Sequence, residues 1–320
     1  MKLGVFTVPF GELPLGETLD RVQRLGVEAV EIGTGAYPGD AHCRPAELLR
    51  SERQLRGFRG AIEASGLRLS ALSCHGNPLH PQARIARAHH AVFTQTVELA
   101  RRLGVDTVVT FSGCPGAEPK ATRPTWIVSP WPPEHQETLA WQWTEKVVPY
   151  WDDAARLCEG AEVRVAIEMH PNFVVYNPET MIRLRAVAPG VIGCNFDPSH
   201  MFWQGIDPVA AIRALAGCIF HAHAKDCRID TRNTAVNGVL DGKPYTREAE
   251  RSWIFRTVGY GHDALVWNDL VSALRLAGYD HVLSIEHEDS LMSGAEGLQK
   301  AVAFLQSVLI REPPGPAYWA

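Results

Sequence analysis

VRVAIE, residues 163–168, is a short apolar run, rich in Val and Ile, that ends on a carboxylate. Such a run reads as a parallel strand buried on both faces. The pattern returns downstream in IGCNFD (192–197), IFHAH (219–223) and HVLSIE (281–286). The polar residues that close these runs, Glu168, Asp197, His223 and Glu286, stand 29, 26 and 63 residues apart. The first two intervals each suit one βα unit, and the third suits two with a long insertion. In a (β/α)8 barrel that spacing delivers every such residue to the C-terminal face, where active sites are built. Three carboxylates are costly to bury uncompensated, so a cation or shifted pKa values must be involved, and together the four look like one metal site. An oxygen-rich set of this kind favours Mn²⁺, with Mg²⁺, Co²⁺ and Zn²⁺ open. Taken singly, each residue could merely cap a helix or face solvent. Their common register is what marks a site.

Upstream, four more strand-like runs lie at 2–9, 27–33, 67–74 and 105–112, making eight. Helix-like segments separate and follow them at 15–25, 51–65, 82–103, 138–159, 178–187, 207–216, 263–277 and 294–310. Their starts carry capping signals: Asn177 before Pro178, Asp207 before Pro208, and Ser293 followed three residues later by Glu296. In the last helix Leu298, Ala301, Val302, Leu305, Val308 and Leu309 form one stripe. Eight alternating pairs predict a single α/β domain, a (β/α)8 TIM barrel over 1–310 with a C-terminal tail at 311–320.

The composition fits: 46% hydrophobic residues sustain a large core, and a net charge of −5 argues against a nucleic-acid surface. No run has the length of a membrane span, and the apolar start MKLGVFTVPF is broken too early for a signal peptide, which predicts no membrane association. Seven cysteines without a CxxC pair read as reduced thiols of a cytoplasmic protein.

Two connections leaving strand C-terminal ends are unusually long, 113–137 and 225–262. Their prolines and tryptophans predict ordered active-site lids. Trp126, Trp131, Trp203 and Trp253 are candidates for pocket walls or for packing under these loops. In the second loop Arg256, Tyr260 and His262 are lid candidates, Arg256 with a substrate-binding role. Residues two apart share a face of a strand, so His221 and Lys225 point inward with His223, His170 follows Glu168, and Glu288 follows Glu286, whereas His287 turns toward the helices. His170, His221 and Lys225 are therefore expected at the substrate, although His221, lying deeper, equally suits a support role, and Lys225 could pair with Asp226. His75, after the third strand, is placed at the barrel mouth for substrate contact. The tail carries Tyr318 and Trp319, which permit docking on the barrel or a homo-oligomer contact.

In this order on a barrel, IEMHP (167–171), NFDPSH (195–200), FHAHAKD (220–226) and SIEHED (284–289) resemble the sugar isomerase/epimerase superfamily of xylose isomerase-like TIM barrels. That superfamily includes tagatose 3-epimerase, inosose isomerase and, more distantly, endonuclease IV. The resemblance covers essentially the whole chain. It implies one divalent metal on Glu168, Asp197, His223 and Glu286, with His200 meeting the substrate, a sugar or polyol. It further implies that Glu168 and Glu286 face opposite sides of that substrate as the acid/base pair, working through an enediolate. An alternative is a lyase acting on 3-keto-glycosides, like C-glycoside deglycosidase large subunits, which work with a small second subunit. An endonuclease IV-like repair enzyme fits poorly, because Phe111 and Ser112 stand where that relative has a histidine, and CRIDTRN (227–233) lacks its Asp-x-His pair. A barrel that binds sugar without catalysis is disfavoured by four intact ligand positions.

Overall fold

The computed structural model describes residues 1–319. Eight parallel strands close into a barrel: β1 (Lys2–Phe6), β2 (Ala29–Gly33), β3 (Arg68–Ser73), β4 (Thr107–Phe111), β5 (Arg164–Glu168), β6 (Ile192–Phe196), β7 (Ile219–Ala224) and β10 (Val282–Ile285). They neighbour one another in chain order, and β1 pairs with β10 to close the ring. All eight expected strands and the helices between them are present, and the stripe on the last helix is buried from Leu298 to Val308. The β-branched strand faces pack outward against these helices in one continuous core. All seven cysteines are buried and free.

The floor of the barrel is closed by side chains rather than left as a pore. Ala71, Val109 and Ala166 meet there, with Phe220 packed against them. A register irregularity allows this: Cys194 pairs with Ile219 while Asn195 pairs with His221, so Phe220 is an extra residue in β7. Its ring occupies the space beside Gly193, where a Cβ would come within 2.4 Å of Phe220 Cδ2 and 2.5 Å of the Cys218 carbonyl oxygen.

The two long connections are held by side-chain hydrogen bonds. The second folds into an antiparallel hairpin, β8 (Asp226–Ile229) with β9 (Trp253–Arg256), joined through a helix at Thr231–Asn237. Its root is Asp226, a fully buried carboxylate that accepts from the backbone N–H groups of Cys227, Gly259, Gly261 and His262, from His262 Nδ1 and from Trp267 Nε1. In the first connection Gln142 donates to the carbonyls of Gly116 at 3.0 Å and Thr125 at 2.8 Å, pinning the loop to the following helix. A short helix at Pro198–Trp203, unforeseen in the sequence, follows β6 directly. Trp203 on that helix stacks on Trp253 of the hairpin, centroids 4.6 Å apart and planes at 7°. The tail stays near the foot of the barrel, where Arg275 donates to the carbonyls of Ile310 and Glu312, while Tyr318 and Trp319 are exposed.

Candidate metal centre

Glu168 ends β5, Asp197 follows β6, His223 precedes the last residue of β7, and Glu286 follows β10. Parallel strands of matched length bring these positions to one level, and one ligand atom from each lies within 4.8 Å of the others. Each side chain is held by a different device. Glu168 Oε2 accepts from His75 Nε2 and from Asn195 Nδ2, both at 2.9 Å. Burial pushes the Glu168 carboxyl up, but the charges of His75 and His223 and hydrogen bonds from His200 and His75 outweigh it and hold it well below the ordinary value. Asp197 divides its oxygens: Oδ1 caps the short helix by accepting from Ser199 N at 2.8 Å, and Oδ2 is buried without a hydrogen-bond partner. Burial raises the Asp197 pKa against the pull of His200 and Lys225.

That orphaned oxygen, beside two further carboxylates and an imidazole, is the observation that tests for a cation. A buried carboxylate oxygen with no donor is expensive, and a hard divalent ion is the partner whose chemistry matches three oxygens and one nitrogen. The residues present fit one.

Around the four ligands stand the residues expected at the substrate. His200 Nε2 lies 3.3 Å from Asp197 Oδ2 and 3.4 Å from Glu168 Oε1. Its ring sits 4.2 Å from that of His170. Burial, helped by the charge of His200, lowers His170 to about 3, so this imidazole is neutral at physiological pH. Lys225 Nζ is 3.0 Å from Glu286 Oε2 and 2.6 Å from Glu288 Oε2. The alternative of a Lys225–Asp226 pair does not hold, because Asp226 is turned into the hairpin root with His262. His221 lies deeper, its Nε2 2.9 Å from Glu31 Oε2, in the support position rather than at the substrate. Arg256 is also displaced from the expected role: Nε donates to Asp289 Oδ2 at 3.1 Å, in an ion pair that braces β9 against the loop after β10.

Two functional neighbours escaped the sequence reading. Glu31, in the middle of β2, is fully buried beside His221 and His223. Its signal was present, as a carboxylate inside the apolar run VEAVEIG must have buried partners. Asn195, two residues before Asp197 and on the same face, was open to the same parity argument. Beside His170 and His200 a cleft of about 590 Å³ opens, walled by Trp126, Trp203, Tyr245, Trp253 and Phe255. Trp131 is exposed and takes no part.

The model of the xylose isomerase-like TIM barrel matches residues 19–308. The chain belongs to that family. The uncharacterized protein YfiH of Bacillus subtilis (strain 168) is 37% identical over 312 residues, 97% of this chain and 99% of that protein. Among solved structures, 3-keto-D-glucoside 4-epimerase, YcjR, from E. coli superposes with a TM-score of 0.66 at 14% identity, covering 96% of this chain and 99% of that one. The IOLI protein with a binding zinc atom gives a TM-score of 0.66 at 19% identity, covering 97% and 98%. At such identities the two structures establish the shared fold.

Proposed function

We propose that this barrel is a divalent-metal-dependent isomerase or epimerase of a keto-sugar or inosose. The observation that carries the reading is the convergence of Glu168 and Glu286, from strands with two others between them, on one ligand set that includes Asp197 and His223. The 3-keto-D-glucoside 4-epimerase and the zinc-binding IOLI protein support it as bearers of the same fold. A divalent ion held by the four side chains would polarise a substrate carbonyl and its neighbouring hydroxyl and so acidify the C–H between them. The oxygen-rich donor set favours manganese as that ion.

The chain's own groups then carry the proton. One glutamate removes it from the carbon beside the carbonyl, leaving an enediolate, and the other returns a proton from the opposite side. Glu168 has Oε2 engaged by His75 and Asn195, which fixes its orientation. Glu286 is kept ionised by Lys225 and His223, whose charges outweigh burial and bring it to about 2. A carboxylate this acidic becomes an effective base only when substrate displaces water around it. His200 Nε2, 3.3 Å from Asp197 Oδ2 and 3.4 Å from Glu168 Oε1, is placed beside the ligands to donate to a substrate oxygen. Buried free thiols suit a reducing cytoplasm.

A lyase acting on 3-keto-glycosides begins with the same proton removal and ends by expelling a β-substituent. The aromatic cleft beside His170 and His200 is the observation that favours it, since it gives room for an aglycone. Incubating manganese-loaded protein in D₂O with ketoses, inososes and 3-keto-glycosides separates the two. Deuterium beside the carbonyl with an isomeric product supports the isomerase, and exchange with aglycone release supports the lyase. Glu168→Gln and Glu286→Gln should each abolish exchange in a folded protein. Full exchange in either variant would remove the proposed pair.

A further inference from the structure

Glu31 is a carboxylate with no exposure to solvent, in a strand that supplies none of the four ligands. Every contact it makes is to a donor. Ser73 Oγ donates to Oε1 at 2.5 Å, His221 Nε2 lies 2.9 Å from Oε2, and His223 Nε2 lies 3.1 Å from both oxygens. A carboxylate between these groups can only accept, so the geometry puts the N–H of His223 on Nε2. The opposite nitrogen of the same ring, Nδ1, faces the site, 3.4 Å from Glu168 Oε2 and 3.3 Å from Glu286 Oε2.

We propose that Glu31 is a positioning residue that fixes the ring and tautomer of His223, presenting Nδ1 as the metal-binding atom. Ser73 and His221 complete the support by holding Glu31 itself, which gives these two buried residues a role that substrate contact does not. A carboxylate behind a ligating imidazole both orients it and raises its basicity, and loss of such a partner weakens metal binding by about 10- to 100-fold. The inference rests on the metal reading above.

The test is zinc affinity, measured by competition with a chromophoric chelator, for the intact chain and for Glu31→Gln and Glu31→Leu. Both variants should bind zinc about 10- to 100-fold more weakly, with Glu31→Gln, which keeps one acceptor, the milder. Long-range ¹H–¹⁵N spectra of the zinc-loaded, histidine-labelled unmutated chain supply a reading that does not depend on how well the variants fold. They should show His223 bonded to zinc through Nδ1 with hydrogen on Nε2. Zinc on Nε2, or unchanged affinity in folded Glu31→Gln, overturns the proposal and leaves the metal reading standing. Two zinc ions per chain, one of them lost in Glu31→Gln, overturns it in favour of a second ion, since Glu31, His221 and His223 are close enough to ligate one themselves. Failure of the unmutated chain to bind zinc overturns both this proposal and the metal reading.

Discussion

The Lys225 ammonium lies 3.0 Å from Glu286 Oε2. Lys225 is the single residue between the end of β7 and the start of β8, so the insertion begins where the site's cation stands. Its charge offsets Glu286, Glu288 and, at 3.8 Å, Asp197. Replacing it with Met leaves partly buried carboxylates uncompensated. The metal-free protein should lose about 3 kcal/mol in urea denaturation, while manganese should bind more tightly and restore most of that loss. An unchanged metal-free midpoint would show that the ammonium is not balancing the site.

The acid limb of stability should report the same carboxylates. In the folded, metal-free protein Glu286 titrates at about 2 against an ordinary 4.5, and Glu31 and Glu168 are likewise held well below their usual value by neighbouring histidines that outweigh burial. Groups depressed by folding stabilise the native state above their unfolded pKa and cease to do so as pH falls through the folded one. Asp197, raised by burial, works in the opposite sense but is outnumbered. The urea midpoint should therefore fall steadily between about pH 5 and pH 2. A midpoint that rises over this range would contradict the ionised assignments.

Asp226 collects its donors from Cys227, the 259–262 turn and Trp267. Asp226→Ala should cost about 3–5 kcal/mol and speed amide exchange at Gly259, Gly261 and His262 first. Gly261→Ala should behave similarly, because its Cβ would lie 2.3 Å from Asp226 Oδ1 and 2.2 Å from the Cys227 carbonyl oxygen. Uniform exchange across the chain in either variant would mean that the hairpin root is not a local unit.

Gly193→Ala tests the barrel floor. The added methyl meets the Phe220 ring and the Cys218 carbonyl oxygen, so both a side chain and backbone must move. Overpacking of this kind should lower stability by about 3 kcal/mol. A melting temperature equal to that of the parent chain would show that the floor is loosely packed.

The fold was legible because parallel strands buried on both faces must be continuous apolar runs, and the eight runs appear where the strands are. The four ligand candidates were legible for the same reason: a carboxylate or imidazole that stops a Val/Ile run stands out. Glu31 was obscured because it interrupts a run rather than ending it, and its partners, Ser73, His221 and His223, are distant in the chain. Strand parity, counted from His223, placed His221 and Lys225 inward. It missed Phe220, which also serves the interior because the bulge in β7 breaks the alternation. Arg256 was misplaced because its tie to Asp289 arises only when the hairpin folds back over the loop after β10. The short helix Pro198–Trp203 was hidden by its own length, less than two turns, and by Asp197, whose capping oxygen and site-facing oxygen are the same side chain.

The burial of every thiol has a use at the bench. Burial raises Cys74, Cys114 and Cys158 to about 12, so the native protein presents maleimides and iodoacetamides with thiols that are neither reachable nor ionised. A cysteine introduced at an exposed position of the insertion, such as Leu240, becomes the one fast-reacting thiol in a chain that needs no prior cysteine removal. A fluorophore attached there can follow the hairpin as ligands arrive, and a burst of labelling at the other seven marks the moment the barrel itself opens.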